Sequence, residues 1–152
     1  MSSAVPTYLD ALVAALSSAP GLQSPVQVFD GPVVTSTPPQ QHVVVGYDGG
    51  ETDGAVIDWL QEQATIDGQR DEAFTLIGCV VAWSGDTDNK ARRDQVFTLL
   101  AAVEDVVRTG IDVGLPGPAV ADFAPSLFRQ EQANYGMQAK ILFGVRYEGV
   151  SI

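Results

Sequence analysis

The stretch that most restricts the fold runs from Lys90 to Thr109, where Val96, Leu99, Leu100, Val103, Val106 and Val107 recur at three- and four-residue steps. That spacing lines one side of an α-helix with apolar groups, and such a stripe has to be covered. The ends agree with a helix. Asp88 or Asn89 can cap its start, Arg108 in the last turn suits the helix dipole, and Gly110 can end it. Cover is available on both sides, because Ala73 to Glu148 reads as an apolar run, this helix, an irregular connector and a closing strand. The helix names a scaffold and no chemistry.

A chain of 152 residues can bury about 70% of its unfolded surface in one core, so a single domain over 1–152 is expected, with no need for disulfides or metals. Cys79 stands alone inside the apolar run Leu76 to Trp83 and reads as a buried thiol, which suits a reducing compartment. The formal charge of −11 is unevenly spread. Between Val43 and Asn89, ten carboxylates (Asp48, Glu51, Asp53, Asp58, Glu62, Asp67, Asp71, Glu72, Asp86 and Asp88) face only Arg70. Such a surface repels phosphate and argues against nucleic-acid binding. It is either a solvated acidic face or a wall that lets a polyanion pass without sticking.

From the start of the chain, Ser2 to Pro20 reads as a helix with Pro6 in its first turn and Leu9, Leu12, Val13 and Leu16 on its buried side. It lacks the basic region of a secretory signal, and no run approaches the ~20 apolar residues of a membrane span. Val26 to Phe29 reads as a short strand before the turn Asp30-Gly31-Pro32, with Val33 and Val34 as its possible continuation; Pro38-Pro39 marks a connector, and His42 to Tyr47 reads as an interior strand. His42, the only histidine, has no nucleophile and acid placed around it and reads as structural. Asp48, Glu51 and Asp53, like Asp86 and Asp88, miss the ligand spacing of a calcium loop. No phosphate loop, nucleophile elbow or zinc spacing is present, so no catalytic residue, metal or cofactor is assigned.

Ala55 to Gln63 and Glu72 to Trp83 flank the turn signal Asp67-Gly68 and read as a long acidic hairpin that projects from the core. Trp59 then belongs either to the core at its base or to an interface. Gly110 to Pro125, rich in Gly and Pro, reads as a long connector with a short strand at Val120 to Phe123. Leu127 to Gln132 resumes order before a turn at Asn134 to Gly136. Met137 to Tyr147 alternates, with Met137, Ala139, Ile141, Phe143, Val145 and Tyr147 on one side and Gln138, Lys140 and Arg146 on a wet one. Gly144 marks a bulge or a close approach. Lys90, Arg92 and Arg93 form a basic group at the helix start, where the dipole disfavours them, and can pair with the acidic hairpin of a neighbour. The expected class is α+β: a mixed, mostly antiparallel sheet flanked by two helices, with a projecting hairpin.

In this order the segments Val28-Phe29-Asp30-Gly31, Val43 to Gly49, Cys79 to Asp86, the helix Ala91 to Arg108 and Leu127 to Gln132 leading into Gly136 to Tyr147 carry a likeness. The chain resembles the tail terminator and minor tail proteins of long-tailed bacteriophages, particularly those of actinobacterial hosts. The resemblance implies a structural virion protein and no enzyme: a hexameric ring that caps the tail tube, ends its polymerisation and faces the neck. It implies a tail-terminator-like domain over the whole chain, assembly in the host cytoplasm, and as partners further copies of itself, the tail tube protein and a neck or head-completion protein, without a membrane. Genomic DNA would pass through unbound, along a channel lined by Glu51, Asp53, Glu62, Asp67, Asp71 and Glu72. The subunit interface would draw on Ile57, Trp59, Leu60, Ile66 and Phe74 of the hairpin and on Lys90, Arg92 and Arg93. A neck, head-closure or tube protein shares much of this pattern. A cellular acidic module with a ligand or peptide cleft is an alternative of another class, to which the Gly/Pro connector points.

Overall fold

The computed structural model describes residues 3–35, 37–48, 54–63, 70–111, 120–133 and 136–151. Its elements run α1 (Val5–Ser18), β1 (Gln27–Asp30), β2 (Gln41–Val45), β3 (Val56–Gln63), β4 (Arg70–Ser84), α2 (Asn89–Thr109), β5 (Val120–Ala133) and β6 (Gly136–Ser151), with one 3-10 turn at Pro20–Leu22. The six strands form one sheet in the order β1-β2-β4-β6-β5, with β3 also paired to β4. Only β1 and β2 run parallel; the other pairs are antiparallel. The α+β class is as the sequence indicates.

The 15-residue β4 organises the sheet. Its whole length, from Arg70 to Ser84, pairs with β6. Its other edge is shared: Gly78 to Ala82 pairs with β2, and Arg70 to Leu76 pairs with β3. The acidic hairpin is therefore not a free two-stranded arm. It continues a sheet in which β6 and part of β5 run alongside it.

Both helices cover one face. Val96, Leu99, Leu100, Val103 and Val107 of α2 and Tyr8, Leu12 and Leu16 of α1 are buried there. They meet Val43, Val45, Phe74, Leu76, Val80, Ile141, Phe143, Val145 and Tyr147 in one cluster. Asp88 caps α2 by accepting from the Ala91 amide at 3.0 Å, and Gly110 leaves it at φ 96°. Cross-strand Phe74 and Tyr147 stack at 4.9 Å, with Tyr8 of α1 packed against both. Gly78 makes room for the Phe143 ring, because a Cβ there would lie 2.5 Å from Cζ of Phe143 and 2.6 Å from the Val44 carbonyl oxygen.

The second face corrects the sequence reading. Gln138 and Lys140 are buried rather than wet. β1 ends at Asp30 rather than continuing through Val33 and Val34; Val33, Thr35 and Pro38 of the segment before β2 line one cavity with Gln138 and Lys140, and Trp83 holds that segment by donating from Nε1 to the carbonyls of Pro38 (3.1 Å) and Pro39 (2.9 Å). Val44, Cys79, Val81, Trp83 and Leu142 form a smaller apolar cluster beneath, with Phe29, Val33 and Tyr47 against it. The connector after α2 is also shorter than its composition suggests, since β5 already begins at Val120 and includes Pro125. A proline fits there because β5 is an edge strand and its register shifts between Pro125 and Leu127. That bulge lies opposite Leu142 and Phe143, next to Gly144.

Candidate functional site

The most exposed large apolar side chains among the described strand residues lie on β3: Ile57 (43%), Trp59 (55%) and Leu60 (54%). β3 pairs only with β4, so its outer edge is open among the described residues. Its register shifts between Ile57 and Leu60, where Asp58 takes φ 52°. A bulge of one residue exchanges the faces of all that follows. Trp59 therefore turns toward the helix side, where Val56 also packs on the core, although three residues separate them.

Glu72 receives it there. This buried carboxylate accepts from Trp59 Nε1 (2.7 Å), Gln61 Nε2 (2.9 Å) and Ser3 Oγ (2.6 Å) on one oxygen, and from the Ala4 amide (2.6 Å) on the other. Ala4 caps α1 without a side-chain bond of its own, so Glu72 joins the first turn of that helix to the edge strand. Trp59 is thus solvent-facing over half its surface and fixed at its indole nitrogen.

These positions revise the expected assignments. Glu72 is a buried structural acceptor and not part of an exposed acidic wall. Phe74 has no exposed surface and belongs to the aromatic core against α1, so it is not an interface residue. Glu62 and Asp71 are exposed, and with Glu148 they rim an open trough of about 410 Å³ floored by Leu60, Ala73 and Val150. Glu51, Asp53, Ile66 and Asp67 lie outside the described residues. Lys90 is exposed and pairs with Asp94 at 2.6 Å, and this hydrogen bond holds the Asp94 carboxyl below the usual range. Arg92 is mostly covered, 3.9 Å from Asp86. Arg93 is exposed and reaches Gln130 on β5 at 3.5 Å.

One exposed feature escapes sequence reasoning. Phe97 of α2 (46% exposed) meets Phe128 of β5 (40%) edge to face at 5.1 Å, on the helix side of the β5 edge. The available signal was positional: Phe97 is an aromatic residue off the buried stripe of its helix.

On the second face, a cavity of about 240 Å³ is lined by His42, Cys79, Gln138 and Lys140 among others. His42 Nδ1 donates to the Pro39 carbonyl at 2.8 Å, and burial holds the imidazole below its ordinary pKa. Burial pushes the Cys79 thiol up to about 12, with the Lys140 charge opposing and the Asp48 charge adding to that shift. A neutral imidazole tied to a carbonyl and a protonated thiol form no activated pair. Among the described residues no group of three or more His, Cys, Asp or Glu is placed to hold a metal, and no helix is long and apolar enough to cross a membrane.

No protein-family model matches this chain, and no curated protein sequence matches it. Among solved structures it is similar to a chain of the virion of a native gene transfer agent particle, with 16% identity and a TM-score of 0.45 over 91% of this chain and 84% of that one. A likeness at that level identifies neither a family nor a function.

Proposed function

We propose that this chain is a structural virion protein of a long-tailed phage, one that caps the tail tube as a hexameric ring and faces the neck. The observation that carries the reading is the open β3 edge, with a half-exposed tryptophan held in place by Glu72. A tryptophan ordered before any partner arrives loses little entropy on association, and such residues concentrate binding energy at interfaces. The order of segments shared with tail terminators supports the same reading, as does the acidic stretch from Asp48 to Asp88. A channel for DNA needs walls that repel phosphate. Of the expected acids, Glu62 and Asp71 keep exposed carboxylates free to serve there.

The test is tube growth. Added to polymerising tail tube protein, the chain should arrest growth and leave a ring on one end of each tube. Tubes of unchanged length without rings would refute the capping role. Neutralising Glu62 and Asp71 together should leave folding stability within about 0.5 kcal/mol and ring formation intact while altering DNA passage or retention. Unchanged infectivity would remove the channel role.

The second-face cavity favours one other reading, a cellular ligand-binding module. A small molecule that raises the melting temperature of the chain, but not that of a variant with Val44→Phe filling the cavity, would support that reading instead.

A further inference from the structure

The hydroxyl of Tyr147 is buried with no hydrogen-bond partner among the described residues, and its place in the sheet puts it beside Glu72. Tyr147 pairs with Phe74, and Glu72 pairs with Gly149 two residues further along both strands, so the two side chains share the helix side. A Cβ on Gly149 would lie 2.5 Å from the Tyr147 hydroxyl oxygen, so the ring runs along β6 and its hydroxyl stands over Gly149. Side chains directly opposite in such a pair start about 5 Å apart. Burial raises the Tyr147 pKa, and the Glu72 charge adds to that shift. The carboxylate itself is unevenly served. Ser3 Oγ, Trp59 Nε1 and Gln61 Nε2 all donate to Oε2, although one oxygen offers two lone pairs, while Oε1 receives only the Ala4 amide. A crowded acceptor therefore lies next to an unused donor, and an unbonded buried hydroxyl is costly.

We propose that Glu72 is the centre of a two-position latch: Trp59 donates to it in the arrangement described above, and Tyr147 takes the carboxylate when the indole turns away. Trp59 is the donor most easily withdrawn. It is 55% exposed on an open edge strand, beside the bulge at Asp58, whereas Ala4 has no exposed surface and Ser3 Oγ also accepts from the Val5 amide at 3.1 Å. Withdrawal without a substitute would leave a buried charge short of a donor. With Tyr147 in reserve the carboxylate keeps four donors and the orphan hydroxyl gains a partner. The indole is thus held while the edge is open, and its N–H is released when a partner offers an acceptor. This goes beyond the tail reading and does not rest on it, because the latch belongs to the folded chain and serves any partner that meets the β3 edge.

The test is a double-mutant cycle on the full chain, read by urea unfolding, with Trp59→Phe and Tyr147→Phe. Tyr147→Phe alone removes an unbonded hydroxyl and should leave the folding equilibrium constant within about threefold. Trp59→Phe removes the indole N–H, and Tyr147 should compensate for it. Its cost should therefore be about tenfold larger in the Tyr147→Phe background than in the wild type. Additive losses would overturn the proposal, as would a loss of tenfold or more from Tyr147→Phe alone, which would mean that the hydroxyl is already bonded. Fluorine NMR of chain labelled with 5-fluorotryptophan gives a second readout, with Trp83, tied to Pro38 and Pro39, as the internal reference. The Trp59 resonance should be exchange-broadened in the wild type and sharper in Tyr147→Phe, while that of Trp83 stays the same. A Trp59 line shape that ignores Tyr147→Phe would show no exchange between the two donors and overturn the latch.

Discussion

The two halves of β4 differ in both sequence and surroundings: Arg70 to Leu76 mixes charged, polar and apolar residues, whereas Gly78 to Trp83 is apolar throughout. From Gly78 to Trp83 the strand lies between β2 and β6, with helices over one face and the segment before β2 over the other. Every residue in that half is buried. From Arg70 to Leu76 the strand lies between β6 and β3, and only its even-numbered side, Glu72, Phe74 and Leu76, is closed. The other side carries exposed Asp71 and half-covered Ala73 and Thr75. The same strand therefore forms a closed core at one end and a presented surface at the other. Residues and neighbours agree on which is which: the apolar run is enclosed between β2 and β6, and the mixed half lies between β3 and β6.

Substitutions at the presented end separate folding from assembly. The largest folding effect is expected at Phe74→Ala, which removes a fully buried ring stacked on Tyr147 and should cost about 3–5 kcal/mol in urea unfolding. A loss below 1 kcal/mol would mean that the aromatic core under α1 is not formed. Glu72→Ala comes next, at about 2–3 kcal/mol, since it strands the buried Ala4 amide and frees Trp59 and Gln61. Its fluorescence should report a more mobile tryptophan, and an unaltered indole signal would contradict the link between helix and edge strand. Trp59→Ala should cost only about 1 kcal/mol of folding, because the side chain is 55% exposed. It should nevertheless weaken self-association by at least about tenfold. Equal losses in both measurements would place Trp59 in the core.

The smallest effect probes the covered second face. Burial keeps His42 below its ordinary pKa, so the folded chain holds a neutral imidazole where the unfolded chain is already protonated. The stability present above the ordinary value of about 6.5 is lost as pH falls below it, down to the lower folded-state value. Wild type should therefore lose more stability than His42→Gln between pH 7.5 and 5, measured by urea midpoints. Parallel losses would show that His42 is not buried.

Much of the closed half is legible in the sequence because periodicity and burial report the same fact there. The α2 stripe and its Gly110 end appear as read, Asp88 rather than Asn89 supplies the cap, and the apolar side of β6 from Ala139 to Tyr147 is buried as expected. The errors share a cause. Gln138 and Lys140 read as wet because a strand pattern shows which side is polar but not whether a distant loop crosses it. Phe74 read as an interface residue because it adjoins the hairpin, although its parity with Leu76 puts it on the core side. Glu72 shares that parity, which was the available sign of a buried carboxylate. What no pattern supplies is the bulge at Asp58 that turns Trp59 toward the helices, or the pairing of Phe97 with Phe128 across 31 residues of sequence.

The central claim is that the open end of this molecule exists to meet another copy of itself on a tail tube. Its most direct test is the mass of the purified chain over a wide concentration range, with negative-stain images of the same samples alone and with polymerised tail tube protein. The expected result is closed six-fold rings, either free in solution or seated on tube ends. A chain that stays monomeric at every concentration and leaves the tube ends bare would contradict the claim.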